Sequence, residues 1–229
     1  MNWREFWNGT HSIYVSDRHR LLHYEGIAKG IVELLGSPEA VVLDHGCGDA
    51  LAADRVAAKC RRLYLFDAAP RVQERLRQRY AGNDKIVVLS GAELEVLPAQ
   101  SLDLVVANSL IQYLSRGEFE TLLDFWRQRL KASGKLVVAD VISPESGALG
   151  DAQALLAFAF AGGFFWRACA GLVATFFSDY RKLRHDLGLS CYRAEDMQKL
   201  LAAHGFAGAR AETNIGHNQR RMMFIAAPV

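Results

Sequence analysis

The stretch Val41-Val42-Leu43-Asp44-His45-Gly46-Cys47-Gly48-Asp49-Ala50 decides the reading of this chain. Ala40 to Asp44 is a short apolar run with strand character, and a helix is expected from about Ala50 to Lys59. A glycine-rich turn between a strand and a helix suits a place where a ligand approaches the backbone closely. In open α/β sheets that place is the carboxyl end of the strands, at the switch point. The dinucleotide fingerprint G-x-G-x-x-G is not met, because Leu51 occupies the third glycine's place. Asp44, two residues before Gly46, would sit awkwardly beside a pyrophosphate but suits a ligand with a cationic amino group. Asp67 ends the next apolar run, 23 residues after Asp44, where an acid can accept from ribose hydroxyls. The expected ligand carries a ribose and a cationic end and no phosphate.

Outward from this stretch the chain alternates strand and helix, which argues for a mostly parallel α/β sheet. Ser16 and Asp17 can cap a helix to about Leu35, closed by Gly36. Leu63–Phe66, Lys85–Leu89, Leu102–Ala107 and Lys135–Val141 read as strands, covered on both faces. Pro70 suits the first turn of a helix running to about Tyr80. A helix over Phe119–Leu130 is expected to stop near Gly134, another runs from about Ala194 to His204, and strands near Ala209–Thr213 and Arg221–Ala226 close the sheet.

The bulk properties fit one soluble domain. The chain has 229 residues, 51% apolar and 23% charged, with 27 Lys plus Arg against 25 Asp plus Glu. A net charge of +2 lacks the basic footprint of a nucleic-acid binder. Cys47, Cys60, Cys169 and Cys191 are widely spaced with no CxxC pair, so neither a zinc site nor a disulfide framework is expected. The first residues, MNWREFWNGTHS, lack the apolar core of a secretory signal, and a cytoplasmic protein is expected.

With these residues in place, the chain resembles the class I S-adenosylmethionine-dependent methyltransferases, in their small-molecule branch. D-H-G-C-G-D-A is similar to the family's first motif, with Ala50 in place of the usual last glycine. L-Y-L-F-D ending at Asp67 resembles the second, G-A-E-L-E-V-L-P (91–98) the segment lining the adenine, L-D-L-V-V-A-N-S-L-I-Q-Y-L (102–114) the fourth-strand motif, and K-L-V-V-A-D-V (135–141) the fifth strand. Where many relatives carry Asp-Ala at the adenine, this chain has Gly91-Ala92-Glu93. The resemblance implies a doubly wound, Rossmann-like, seven-stranded and mostly parallel sheet with an apolar helical insert after the fifth strand. It implies one domain over 1–229: a cap (1–36), a cofactor-binding core (37–141), a helical acceptor-site insert (142–192), and a closing helix and strands (193–229).

It also implies S-adenosylmethionine as cofactor, leaving as S-adenosylhomocysteine. Asp44, Gly46, Cys47, Gly48, Asp67, Ala68, Ala92, Glu93, Asn108 and Ser109 are the cofactor-binding candidates, against plain turn, cap or core roles. Cys47 is expected to pack rather than react, since no activating base stands beside it. His19 and His23 are four apart and share a helix face. They are candidate proton acceptors, and the pair alone would not hold zinc. Tyr14, Tyr113, Asp140 and His217 are candidate substrate contacts. No metal is expected.

Residues 154–177 contain one charge, Arg167, and seven aromatics. The run is long enough to span a bilayer, but Arg167 and three glycines argue against it. Gly162-Gly163 divides it into two helical halves. It reads as a core or dimer face, a lid over an apolar acceptor, or a peripheral membrane contact. The function expected is methyl transfer to a small, hydrophobic or aromatic acceptor by a monomer or homodimer, with no nucleic-acid partner. The alternatives are a non-catalytic cofactor-binding module and a nucleic-acid methyltransferase. The latter is weakened because the fourth strand lacks the proline pair and aromatic that stack a flipped base.

Overall fold

The computed structural model describes residues 14–176 and 188–229. The N-terminal stretch 1–13, Phe177, and the polar stretch 178–186 with Arg181 and Lys182 lie outside the described residues. Strands β1 (Val41–His45), β2 (Arg62–Phe66), β3 (Ile86–Val88), β4 (Leu102–Asn108), β5 (Leu130–Val141), β6 (Phe206–Arg210) and β7 (Met222–Pro228) form one sheet in the order β3-β2-β1-β4-β5-β7-β6. The first five run parallel, and β7 runs antiparallel to both β5 and β6. The order reverses between β1 and β4, which leaves the crevice of an open α/β sheet beyond their carboxyl ends.

Helices cover both faces, so successive strand residues alternate between two apolar layers, and in β1 all are buried. Val42, Leu65, Val106 and Val137 face α1 (Asp17–Leu34), α2 (Ala53–Ala57) and α3 (Pro70–Tyr80), which contribute Ile31, Val56 and Leu76. Leu43, Val105, Leu136 and Phe224 face α4 (Gly91–Glu95), α5 (Arg116–Arg129) and α8 (Ala194–Ala203), which contribute Leu94, Trp126 and Met197. The α/β, doubly wound, seven-stranded fold expected from the sequence is the one found.

Several boundaries differ for local reasons. Helix α2 is five residues long, not ten, because Ala50 takes a left-handed conformation (φ 37°) and prolongs the turn. Helix α5 begins three residues before Phe119: Ser115 and Glu118 form a capping box, the serine side chain accepting from Glu118 N and the carboxylate from Ser115 N. It ends at Arg129, where the chain passes directly into β5, so Gly134 lies inside a strand and stops no helix. A Cβ there would stand 3.0 Å from the Leu102 and Lys131 carbonyl oxygens, beside the register shift between Leu102 and Leu104. β6 lies three residues earlier than expected.

The insert forms α6 (Ala148–Gly162) and α7 (Phe165–Phe176), divided at Gly163, whose left-handed conformation (φ 73°) ends α6. Ala159, Phe164 and Ala168 pack with Val15 and Leu22, joining the insert to α1. The Arg18 Nε–H adds a bond to the Gly162 carbonyl. Phe160 and Trp166 remain exposed. Among the described residues no helix is long and apolar enough to cross a membrane.

Trp126 is fully buried and donates from Nε1 to His45 Nδ1 at 3.2 Å. Trp126→Phe should cost about 1–3 kcal/mol, because it leaves a buried acceptor unpaired. A denaturant midpoint equal to that of the wild type would show that this bond contributes no net stability.

Candidate active site at the carboxyl edge of the sheet

The edge is built from the turn after β1. Gly46 (φ 80°) and Gly48 (φ 57°) adopt conformations that other residues rarely reach. Space also requires glycine: a Cβ would lie 2.8 Å from Leu110 Cδ1 at position 46 and 2.6 Å from the Tyr24 hydroxyl at position 48. Gly46 N–H and Cys47 N–H donate to the Phe66 carbonyl at 2.7 and 3.1 Å. Gly48 N–H donates to Asp67 Oδ2 at 3.0 Å, while Ala69 N–H donates to Asp67 Oδ1 at 2.9 Å. One carboxylate therefore ties the ends of β1 and β2 together. Burial raises the Asp67 pKa, and the two N–H groups oppose that rise.

Asp44 is buried, and no hydrogen bond to its carboxylate forms among the described residues. Desolvation, then the nearby charge of Asp67, pushes its pKa up to about 7. A cation arriving there would reverse the shift. Cys47 is buried with its thiol pushed well up by desolvation and the Asp44 and Asp67 charges, the opposite of an activated nucleophile. Ala68, Ala92 and Glu93 are exposed beside this edge. The Glu93 carboxylate accepts from both Ser90 N–H and Oγ–H at 2.7 Å, closing the cap of α4, and these bonds hold it below the usual carboxylate range.

At the ends of β4 and β5, Ser109 (φ 53°) and Asp140 (φ 60°) are both left-handed without being glycine, the kind of strain that gathers at functional sites. The Ser109 hydroxyl donates to Asp140 Oδ2 at 2.7 Å, and Asn108 Nδ2 donates to Ser109 Oγ at 3.2 Å. Asn108 Oδ1 is buried with no donor among the described residues. Asp140 N–H donates to Asn214 Oδ1 at 3.0 Å, and burial raises the Asp140 carboxyl pKa. Tyr113 is half-buried in the turn Ile111–Tyr113 that follows β4.

Helix α1 closes over this edge. The Tyr24 hydroxyl accepts from Asp49 N–H at 2.8 Å and from the Tyr14 hydroxyl at 3.2 Å, and burial pushes the Tyr14 pKa up to about 12. Tyr14, His19, His23 and His217 come together in one aromatic cluster with Phe158 and Phe164. The three imidazole centroids lie 6.1–6.5 Å apart. Phe158 stacks on His217 at 4.6 Å and Phe164 on His19 at 5.2 Å. Burial, reinforced by the other imidazoles, lowers His19 to about 4 and His23 to about 3, and desolvation lowers His217. His19 Nδ1 accepts from Val15 N–H at 3.3 Å, so its neutral form carries the proton on Nε2. Both ring nitrogens of His23 lack a hydrogen bond within the described residues. No group of three or more His, Cys, Asp or Glu among those residues could hold a metal ion.

His23 and His217 line a cavity of about 540 Å³ between α1, α6 and the β6–β7 connection, with Leu22, Phe158, Ile215 and Arg220. Gly216, also in its wall, lies against Asp140: a Cβ there would be 3.8 Å from Asp140 Oδ1. The cavity thus adjoins the strand ends. Sequence reasoning missed Tyr24, Phe158, Asn214 and Arg220 as members of this edge. Tyr24 stands beside His23, but nothing in the sequence pairs it with Gly48. Asn214 and Arg220 lie in the β6–β7 connection, whose return to the β5 end follows from antiparallel pairing of β7.

Residues 42–134 match the family model of a methyltransferase domain. No curated protein matches the chain in sequence. Among solved structures, the YcgJ protein from Bacillus subtilis is similar at TM-score 0.57 and 18% identity, covering 82% of this chain and 70% of that one. Magnesium protoporphyrin IX methyltransferase from Synechocystis PCC 6803, with bound S-adenosylhomocysteine, is similar at TM-score 0.61 and 16% identity, covering 99% and 93%. The pyocyanin biosynthetic protein PhzM is similar at TM-score 0.62 and 15% identity, covering 100% and 62%. Residues 42–134 thus carry a methyltransferase domain, in a fold shared with solved methyltransferases.

The depressed histidines carry a checkable sign. An unfolded histidine takes a proton below about pH 6.5, while folded His19 and His23 stay neutral. Their contribution to stability is full above 6.5 and is lost as pH falls toward their folded pKa values. Asp44 works in the opposite sense, its folded pKa being raised. Imidazole NMR resonances of His19 and His23 should therefore not titrate between pH 7.5 and 5.5, and a midpoint between 6 and 7 for both would contradict the packing described.

Proposed function

We propose that the protein transfers the methyl of S-adenosylmethionine to a small hydrophobic or aromatic acceptor held in the cavity between α1, α6 and the β6–β7 connection. The observation carrying this reading is that the wall of that cavity at Gly216 lies against Asp140, at the end of β5 on the same edge of the sheet as Asp44 and Asp67. The single chain is read as one domain, with α1 as cap and α6–α7 as the acceptor-side insert. An enzyme is favoured over the cofactor-binding module by the methyltransferase family match.

The residues present fit the cofactor. Asp44 offers a buried carboxylate to the cationic amino end, Asn108 Oδ1 offers an unengaged acceptor beside it, and Asp67 accepts from the ribose. Gly46 and Gly48 let the backbone approach, with Cys47, Ala68 and Ala92 as packing surface and Ser109 fixing Asn108. Glu93, committed to the cap, holds Ala92 in place. When bound, the cofactor supplies a sulfonium methyl already activated toward attack. What remains for the protein is to align the acceptor and exclude water, an effect on the order of 7–11 kcal/mol when complete. Phe158 and His217 stack on an apolar ring, with Tyr14 and Tyr113 bordering the passage. Neutral His23 takes the proton from an acceptor hydroxyl, while His19, with Nδ1 engaged, presents Nε2–H. Asp140, held by Ser109 and Asn214, sets the cavity floor.

Calorimetric titration with S-adenosylhomocysteine tests the cofactor half. Asp44 must be ionised to hold an amino cation, so affinity should rise about tenfold between pH 6 and 8 for a group titrating near 7. Asp44→Ala should abolish binding. Micromolar binding by that variant would remove Asp44 from the site.

His23→Gln tests the acceptor half. With a hydroxyl acceptor, kcat should fall about 10²–10⁴-fold with cofactor affinity unchanged. Undiminished turnover would assign the proton to another group.

A further inference from the structure

Resting on the reading just given, we propose that Arg220 is the specificity residue of the acceptor cavity and that the acceptor is a ring-bearing carboxylic acid. The ring would lie against Phe158 and His217, with its carboxylate on the Arg220 guanidinium.

Two adjacent arginines leave the β6–β7 connection, and they differ. Arg221 is nearly buried and paired, its Nη2–H donating to Asp151 Oδ2 at 2.7 Å. Arg220 lines the cavity, and its Nη2–H donates to the neutral Gln153 Oε1 at 2.9 Å. Among the described residues no carboxylate lies within ion-pair distance of it. Its side chain is exposed, but its course is set by contacts. It crosses α6 at Gly150, where a Cβ would stand 2.6 Å from Nη1. Its N–H donates to Asn218 Oδ1 at 3.1 Å, and Asn218 Nδ2 donates to Asp151 Oδ1 at 3.0 Å. The guanidinium thus has a neutral amide partner, and among the described residues no hydrogen bond engages its Nε or Nη1.

The other side-chain amides of the lining are committed elsewhere, which leaves the neutral imidazoles of His23 and His217 beside the guanidinium. The Gln219 amide bonds Asn214 N and O and the Gly216 carbonyl, and Asn218 is occupied as above. An acid entering this cavity meets one cation in fork geometry, the arrangement that recognises a carboxylate bidentately. A cationic acceptor meets repulsion at the same place. Apolar walls and a single charge also suit the general build of small-molecule sites.

The test uses the full chain saturated with S-adenosylhomocysteine and two isosteric probes, 2-naphthoate and 2-naphthamide, titrated by ligand-observed NMR. The wild type should bind the acid at least tenfold more tightly than the amide. Arg220→Gln should abolish that preference while leaving amide and cofactor affinities unchanged, and Arg220→Lys should restore part of it. Equal binding of the two probes, binding of neither, or an acid preference surviving in Arg220→Gln would each overturn the proposal. The outcome is separable from the function itself. Amide binding lost in Phe158→Ala, with no acid preference, leaves the cavity as acceptor site and removes only the role of Arg220. Failure to bind S-adenosylhomocysteine at all sinks the underlying reading.

Discussion

A carboxylate without a partner in the middle of the sheet edge is the constraint around which the rest is arranged. Asp44 belongs to β1, the strand with neighbours on both sides at the switch point, and every residue of β1 is buried. Moving its pKa from 3.8 to about 7 disfavours the charged form by on the order of 4 kcal/mol. The fold tolerates this because it is otherwise over-determined. Two apolar layers clamp β1, and the following turn is held by the Phe66 carbonyl and by Asp67. Asp67 is nearly as buried, yet it keeps two backbone N–H partners. One acid holds the turn and the other is left wanting a cation. That division follows from a single change of direction at Gly46 and Gly48.

The same logic extends along the edge. Each strand end presents a polar group whose local bonds are incomplete or strained: Asn108 with a bare Oδ1, Ser109 and Asp140 in left-handed conformations. Beyond them the three imidazoles are kept neutral by burial among aromatic rings. In the proposed site, acids that resist ionisation stand on the cofactor side, and bases that resist protonation stand on the acceptor side. Each group would recover its ordinary behaviour only in contact with a ligand of suitable charge or a transferable proton. Perturbations of opposite sense set side by side are expected where chemistry is done.

What the sequence made legible was the part written in consecutive residues. The glycine turn, the acid near the end of each of the first two strands, and the alternation of strand and helix all depend on local pattern, so the fold and the polar edge at its strand ends could be read from them. The boundaries missed have equally local causes that compete with pattern. Ser115 and Glu118 start α5 before its apolar residues begin, and Gly134 is required by a close backbone approach within β5 rather than by a helix end. Glu93, a cofactor candidate by resemblance, also completes a cap whose signal, Ser90 three residues before it, is present in the sequence. The acceptor side is different in kind. Tyr24 against Gly48, Phe158 against His217 and Gly216 against Asp140 join residues 24 to 76 positions apart. Those pairings follow only from α1 folding back over the edge and from β7 reversing direction.

That reversal bears most on specificity. Because β7 runs antiparallel to β5, the connection that precedes it returns to the carboxyl edge, where Val141 pairs with Met222. Residues 211–221 are thereby delivered to the one side of the sheet where the parallel strands end. The loop is anchored by the Asn214 bond to Asp140 N–H, by the Asn218 and Arg221 bonds to Asp151, and by Ile215, which packs on Gly30 and against the apolar layer that α1 covers. The cofactor edge is fixed by backbone turns that admit few alternatives. The acceptor edge is set by side chains on a loop and on an inserted helical pair. Under the proposed function, methyl donation rests on those turns and acceptor choice on the loop and the inserted helical pair.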